Sequence, residues 1–382
     1  MDLLDIGRVL LGVLLLVGGG ELLVRGASSL ARRAGLSSLV VGLTVVALAT
    51  SAPELAVTLD AVFDGQPELA VGNVVGSNIA NVLLILGISA LIRPLTVKRQ
   101  LVRLDVPAMV GLSAIALVLA IGGAISPVGG VVLVTLLVAH TVLTVLVSRR
   151  EARREERLAK RLSGETNSGG EGGEATHGVL VSIVLVAVGV GLLVLGARVL
   201  VVGAVNIAES LGVSGLVIGL TVVAIGTSLP ELATSIIAAA RGEQDMAVGN
   251  IVGSCIFNIG IVLGLPAIIA PGGEGIAVPD AAIALDLPLM IASALALAPV
   301  VFTGYAVARW EGAVFLALYA AYLAFVVLNS TRHEALDGFT FVLAAFLLPL
   351  VAVTLVATTL YEVKRRRERR AAMTVHPANT SA

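Results

Sequence analysis

Cysteine is all but missing from this chain of 382 residues: Cys255 is the single thiol, so no intramolecular disulfide can form. The four histidines are scattered without metal-ligand spacing, which argues against a zinc site and against redox chemistry. Charge is scarce too, at 13% of residues with a formal net of −1, and no nucleic-acid partner is indicated. The opening segment, MDLLDIGRVL, is acidic and lacks a basic n-region, so it reads as a retained first helix and not a cleaved signal. Apolar residues fill the space that charge leaves. They make up 57% of the chain, the mean hydropathy is +1.02, and uncharged runs of about twenty residues recur along it. That composition excludes a soluble globular domain and sets the fold class as an all-α polytopic membrane protein.

One long segment is written twice. Residues 42–94 and 219–271 align without gaps, 177 positions apart, with 28 of the 53 positions identical. A single duplication of this length in an apolar chain points to a two-halved transporter, whereas short periodic units would point to a solenoid. Eleven spans fit the hydrophobic runs, at roughly 6–28, 37–63, 68–92, 104–122, 127–148, 178–206, 213–239, 245–269, 281–303, 310–328 and 338–361. The first ten form two sets of five. Because five is odd, the second set enters the membrane from the opposite side, which predicts two inverted-topology repeats of five transmembrane helices plus an eleventh helix. On this division residues 1–148 are the first repeat, 149–177 a cytoplasmic basic segment and linker, 178–330 the second repeat, and 331–382 the extra helix with a basic tail.

Charge supports the same layout. With the N-terminus outside and the C-terminus cytoplasmic, 22 of the 25 lysines and arginines fall inside, and only Arg8, Arg198 and Arg332 fall outside. The halves have exchanged charge at matching sites, Arg32 against Glu209 and Glu21 against Arg198. A multi-pass protein of the cell membrane is the expectation. Segment 149–177 turns from a basic, helix-predicted stretch into a Gly/Ser/Glu-rich linker too short for a regulatory domain. Its basic part, like the tail KRRRERR, is read as solvated topogenic charge, with contact to anionic lipid headgroups as the alternative.

Each copy of the repeat carries a Thr-Ser-x-Pro-Glu run, which puts Glu54 and Glu231 where a spanning helix should have no charge. Pro53 and Pro230 remove backbone N–H groups, so the carbonyls of Ala49 and Gly226 lose their helical partners and the helix bends. In hydrocarbon a freed carbonyl needs another partner, and broken helices turn such oxygens towards ions. Thr50 and Glu54, four apart, share a helix face, as do Ser77 with Asn81 and Ser254 with Asn258. Hydroxyl, carbonyl and carboxylate oxygens together outline a hard-cation site. Gly72 with Gly76, and Gly249 with Gly253, have the spacing of close helix packing, which by itself could explain them. For Asn81 and Asn258, bridging of helices is the lesser alternative. Asp105 and Asp286 recur in Leu-Asp-x-Pro at the starts of spans four and nine and read as helix caps. His140 has no nameable partner, and Cys255, in place of Asn78 of the other half, reads as a small core residue.

The paired G-x-T-S-x-P-E-like and G-N-x-x-G-S-x-x-x-N motifs resemble the alpha repeats of the cation/calcium antiporter superfamily, in particular sodium/calcium exchangers of bacterial and archaeal type. That resemblance implies that Glu54 and Glu231 are central ligands shared by Ca2+ and Na+, with backbone oxygens from Thr50 and Thr227. It further implies flanking sodium sites from Ser51, Ser77, Asn81, Ser228, Ser254 and Asn258 with the carbonyls of Ala47 and Ala224. Spans one and six, Gly-rich at Gly18–Gly20 and at Gly189, Gly191 and Gly196, would slide across the rest. One departure is that many members have Asp in one copy where this chain has Asn81 and Asn258. Two carboxylates are neutralised by one Ca2+ or two Na+, which argues against three-to-one exchange and against potassium co-transport.

The expected function is antiport of Ca2+ against Na+ by alternating access, with no resident cofactor and membrane lipid as the surroundings. Two ionised glutamates are costly in an empty carrier, and cation binding lowers that cost, so loaded states alternate. A proton/calcium exchanger using the same glutamates and a passive cation channel are the alternatives. No nucleophile with a paired base is visible, so an enzyme is not expected. Oligomeric state is not set by the sequence.

Overall fold

The computed structural model describes residues 2–162 and 178–364, apart from residues 214, 219, 220, 223, 303, 332, 334, 358, 359, 362 and 363. The linker after residue 162, Arg332, the first two residues of the second repeated window and the basic tail after Lys364 lie outside the described residues. Helix α1, Leu3–Ala34, opens on Asp2, whose carboxylate accepts from the Leu4 N–H, and ends at Gly35 with a left-handed φ of 62°. The second span is broken into α2, Ser38–Thr50, and α3, Ala52–Phe63, bent by 42°. Then come α4 (Pro67–Ile92), β1 (Leu95–Thr96), α5 (Leu101–Ala120), β2 (Ala124–Ile125) and α6 (Pro127–Leu162). The second half repeats the order as α7 (Val179–Ser210), short pieces α8 (Gly215–Ile218), α9 (Ala224–Gly226) and α10 (Leu229–Ala240), then α11 (Gln244–Ile269), β3 (Ile276–Ala277), α12 (Ala282–Phe302), β4 (Ala306–Val307) and α13 (Arg309–Ser330). Helix α14, Leu336–Ala357, follows alone.

Among the described residues nine helices are long and apolar enough to cross a membrane, and the bent pair α2–α3 makes ten. Of the seventh expected span, the described residues show α8, α9 and α10, the longest being α10 with 12 residues. Its break at Ser228, just before Pro230, matches that of the second span at Ser51. Several expected ends also move. Helix α1 runs on to Ala34, and α6 continues without a stop from the membrane through the basic stretch to Leu162.

The inversion of the halves is visible in two short ladders. Strand β1, between the third and fourth spans, pairs antiparallel with β4, between the ninth and tenth. Strand β2, between the fourth and fifth, pairs with β3, between the eighth and ninth. A loop of one half therefore sits beside the non-equivalent loop of the other, which is possible only if the halves run through the layer in opposite senses. The basic end is tied together by Lys98–Asp245 at 2.9 Å, by Ser28 donating to Glu243 at 3.1 Å, and by the β1–β4 ladder. At the other end Asp5 accepts from Arg8 at 2.7 Å and from Asn206 at 2.8 Å.

Helices α4 and α11 are the most buried spans and form the centre, whereas α14 buries none of its apolar stretch and faces outward. The glycines of the first and sixth spans serve mainly to join those spans to each other. A Cβ on Gly19 would sit 2.8 Å from the Gly189 carbonyl, and one on Gly196 would sit 2.9 Å from the Leu16 backbone nitrogen, so α1 and α7 touch backbone to backbone. Only Gly20 of this set faces the core, against Ile237 of α10, and Gly18 and Gly191 meet nothing within 4 Å among the described residues. The expected sliding surface is thus narrower than the glycine content suggests. Gly249 and Gly253 do meet α2 closely, at Leu39 and Leu43, while Gly72 and Gly76 have no such neighbour among the described residues.

Two expectations are corrected here. Asp105 and Asp286 are not caps, because α5 and α12 begin four residues earlier in wide π-turns, Leu101–Asp105 and Ala282–Asp286, that carry the chain past the prolines. His140 has a partner: its Nε2 lies 3.1 Å from Asp105 Oδ1, which also accepts from the Thr144 hydroxyl at 3.0 Å. Asp105 is fully buried, so this cluster fastens α5 to α6 inside the membrane. Asp105→Leu is expected to lower stability against unfolding by about 1–3 kcal/mol by removing the acceptor that Thr144 and His140 share, which leaves those two only their own 3.4 Å contact. Thermal unfolding of the detergent-solubilised variant checks this, and an unchanged melting temperature would refute it.

Candidate functional site

The site is built where the two broken spans meet the two most buried ones. Ser51 interrupts the second span with φ −81° and ψ 2°, and Ser228 interrupts the seventh with φ −88° and ψ 6°. The duplicated sequence thus makes the same break twice. Each break starts a new helix with proline in its first turn, and Glu54 and Glu231 fall in that turn, where unpaired N–H groups and the helix dipole favour a carboxylate. Both glutamates are completely buried and near enough for their charges to interact.

Hydrogen bonds then cross between the halves. The Ser228 hydroxyl donates to Glu54 Oε1 at 3.4 Å, and the hydroxyls of Thr50 and Ser51 stand beside Glu231 without bonding to it. Thr50 donates to Asn250 Oδ1 at 3.2 Å and lies 3.4 Å from the Ser254 hydroxyl. Thr227 donates to Asn73 Oδ1 at 3.5 Å. The Ala47 carbonyl already receives the Ser51 N–H at 3.0 Å and the Thr50 hydroxyl at 3.4 Å, so it could face an ion only if Thr50 leaned towards Asn250. Ala224 lies in the backbone of α9, directly before the second break.

Asn73 and Asn250 are the residues that motif reading overlooked. Asn73 donates to the Glu54 carbonyl at 3.1 Å and to Thr58 at 3.0 Å, and Asn250 donates to Ser235 at 3.0 Å. Each holds the broken helix of its own half and receives a threonine of the other. The signal was present, since both follow the first glycine of G-N-x-x-G-S, but the spacing argument used only the glycines and the serine. Asn250→Ala leaves Thr50 and Ser235 without that partner, and is expected to slow transport about tenfold with the fold intact, the worth of roughly one buried hydrogen bond. Uptake rate against gel-filtration profile checks it.

Twelve buried side-chain polar atoms have no hydrogen-bond partner among the described residues, and eight belong to the expected site: Ser51 Oγ, Glu54 Oε2, both oxygens of Glu231, Ser77 Oγ, both amide atoms of Asn81, and Asn258 Oδ1. Native interiors leave few such groups. Their concentration around two carboxylates, seven oxygens with one amide nitrogen, suits a hard cation and offers little to a soft one. No group of three or more His, Cys, Asp or Glu that could hold a metal occurs among the described residues, so the fixed charge of the site is that of two carboxylates.

A cavity of about 510 Å³ runs between α7 and α3, from Pro53 and Thr227 at the site to Asp60 and Arg198. Arg198 lies two turns before Asn206, so the cavity points to the end away from Lys98 and Asp245. At that far, basic end α1 is latched to the core by Glu21, which pairs with Arg241 and with Arg25.

The sodium/calcium exchanger protein family matches this chain over residues 4–146 and 181–328, one segment in each half. The chain belongs to the sodium/calcium exchanger family. It is similar to the sodium/calcium exchanger MaX1 of Methanosarcina acetivorans, 33% identical over 342 residues that cover 82% of this chain and 96% of MaX1. The inner membrane protein YrbG of Escherichia coli is 40% identical over 271 residues, 71% of this chain and 81% of YrbG. Among solved structures, the sodium-calcium exchanger NCX_Mj soaked with Na+ and without Ca2+ superposes with a TM-score of 0.69 at 32% identity, covering 85% of this chain and 99% of NCX_Mj. This exchanger is therefore a multi-pass membrane transporter and not an enzyme.

Proposed function

We propose that the exchanger carries Ca2+ and Na+ in opposite directions, the two ions competing for Glu54 and Glu231. The observation that carries this reading is the cluster of partnerless buried oxygens around the two glutamates. Ca2+ accepts an irregular shell of mixed protein oxygens, whereas Mg2+ demands a tight octahedron and sheds water reluctantly. Carboxylate oxygens of both glutamates would bind Ca2+, with Thr50 and Thr227 contributing backbone oxygens. Ser51, Ser77, Asn81, Ser228, Ser254 and Asn258, with the carbonyls of Ala47 and Ala224, would form flanking Na+ sites. Shared ligands make the two ions mutually exclusive. A carrier that reorients only when its carboxylates are neutralised must then exchange one for the other. Release of the Glu21–Arg241 latch would let the paired helices α1 and α7 shift together and open the other side.

The positive-inside rule places the end bearing Lys98, Arg241 and Arg309 in the cytoplasm, so the cavity at Asp60 and Arg198 faces out. The deciding experiment is radiolabelled calcium uptake into proteoliposomes loaded with sodium, beside sodium-free vesicles carrying a pH gradient of matched driving force. Uptake that requires internal sodium is expected. Uptake that follows the pH gradient alone would mean that the glutamates carry protons, and the sodium sites would be withdrawn.

A further inference from the structure

One of the differences between the two halves lies beside the site: position 78 is asparagine, and its repeat equivalent, position 255, is cysteine. These two residues meet where the halves touch. Asn78 Nδ2 donates to the Cys255 carbonyl at 3.4 Å and approaches Met290 Sδ at 3.3 Å, both acceptors, and the Cys255 thiol faces the Asn78 carbonyl at 3.9 Å. With its NH2 group held there, Asn78 turns Oδ1 towards Asn258 and accepts the Asn258 Nδ2–H at 3.1 Å. Asn258 is thereby left with Oδ1 partnerless and fully buried, an oxygen with no means of rotating away. The matching neighbour of Asn81 is Cys255, whose thiol makes only a weak sulfur contact with it, and neither amide atom of Asn81 has a well-formed hydrogen-bond partner. A thiol is a weak acceptor, so it does not decide which way an amide points.

From this asymmetry we infer that Asn78 is a positioning residue that fixes Asn258 as a pure oxygen donor to a monovalent cation, and that Cys255 leaves Asn81 free to present either oxygen or nitrogen. The two flanking positions then bind Na+ unequally, the Asn258 side the tighter. At the Asn81 side an NH2 group can face the cation, and turning it away costs part of the binding. The inference rests on the reading of Na+ as the counter-ion. Ca2+ affinity should depend on it little, because the two glutamates dominate binding of a divalent ion.

The test uses the whole exchanger in proteoliposomes, with half-saturating Na+ and half-saturating Ca2+ measured separately. Asn78→Cys is expected to raise half-saturating Na+ about two- to tenfold, the net worth of one hydrogen bond, and to change that for Ca2+ less than about twofold. Cys255→Asn is expected to lower half-saturating Na+ by a similar factor. The double exchange, Asn78→Cys with Cys255→Asn, moves the lock to Asn81 and should restore the wild-type value. A merely structural role would shift both ions together and would not be rescued by the double exchange, and either result overturns the inference. Should Asn78→Cys fail to fold, the Cys255→Asn variant decides alone, and an unchanged Na+ dependence there counts against the lock. If wild-type uptake proves independent of Na+, the underlying reading fails first. Sodium-dependent wild type with insensitive variants overturns this inference only.

Discussion

Glu54→Gln and Glu231→Gln each abolish calcium uptake, with at least about a hundredfold loss, in a protein that still folds. Glutamine keeps the size of the side chain and an oxygen, and removes one charge. With a single remaining carboxylate, bound Ca2+ leaves one positive charge uncompensated in the membrane, and a charge at that depth costs about 3 kcal/mol on insertion scales, which is roughly a hundredfold in affinity. Folding should survive, because neither Glu231 oxygen has a hydrogen bond to lose and Glu54 would lose one long bond from Ser228. A neutral amide is also cheaper to bury than an empty carboxylate. Monodisperse gel filtration with absent uptake is the expected pair of results. Uptake at the wild-type rate in either variant would remove the glutamates from the mechanism.

Exchange is expected to be nearly indifferent to membrane potential. Two carboxylates are balanced by one Ca2+ or by two Na+, and with Asn81 and Asn258 at both flanking positions a third Na+ would stand as an unpaired charge in low dielectric. Exchange of two Na+ for one Ca2+ moves no net charge. A third Na+ would move one charge per cycle, and an imposed potential of about 100 mV would then act with about 2.3 kcal/mol, close to fiftyfold in the equilibrium gradient. Valinomycin-clamped proteoliposomes distinguish the two cases. A change in the calcium gradient below about twofold fits two-for-one exchange, and a change of tens of fold would require a third cation and another ligand to balance it.

The residues that motif reading selected and the contacts it overlooked differ in a physical way. Glu54, Glu231 and their prolines stood out because a charge and a helix breaker in an apolar span contradict the solvent around them, and one copy confirmed the other. Asn73, Asn250 and Asn78 carry no such contradiction. An amide in a buried helix is neutral and common enough to pass as packing, and its work depends on what lies across the interface. Asp105 and His140 are 35 residues apart, on separate spans, and no local pattern joins them. The seventh span is continuous in hydropathy, and only its proline marks the break at Ser228.

The sequence by itself determined the class of protein, the duplication, its inversion through the odd number of spans per half, and the pair of carboxylates. Each follows from composition, periodicity or charge placed along one dimension, where the bilayer is a strict filter. Only the tertiary structure decided which oxygens remain without partners, that the glycines of α1 and α7 bind those helices to each other, that Glu21 latches one end while a cavity opens at the other, and that Asn258 is held by Asn78 while Asn81 is not. Those properties depend on distances between residues about 180 positions apart, and a hydrogen bond that is made or missing across such a gap leaves no trace in local spacing.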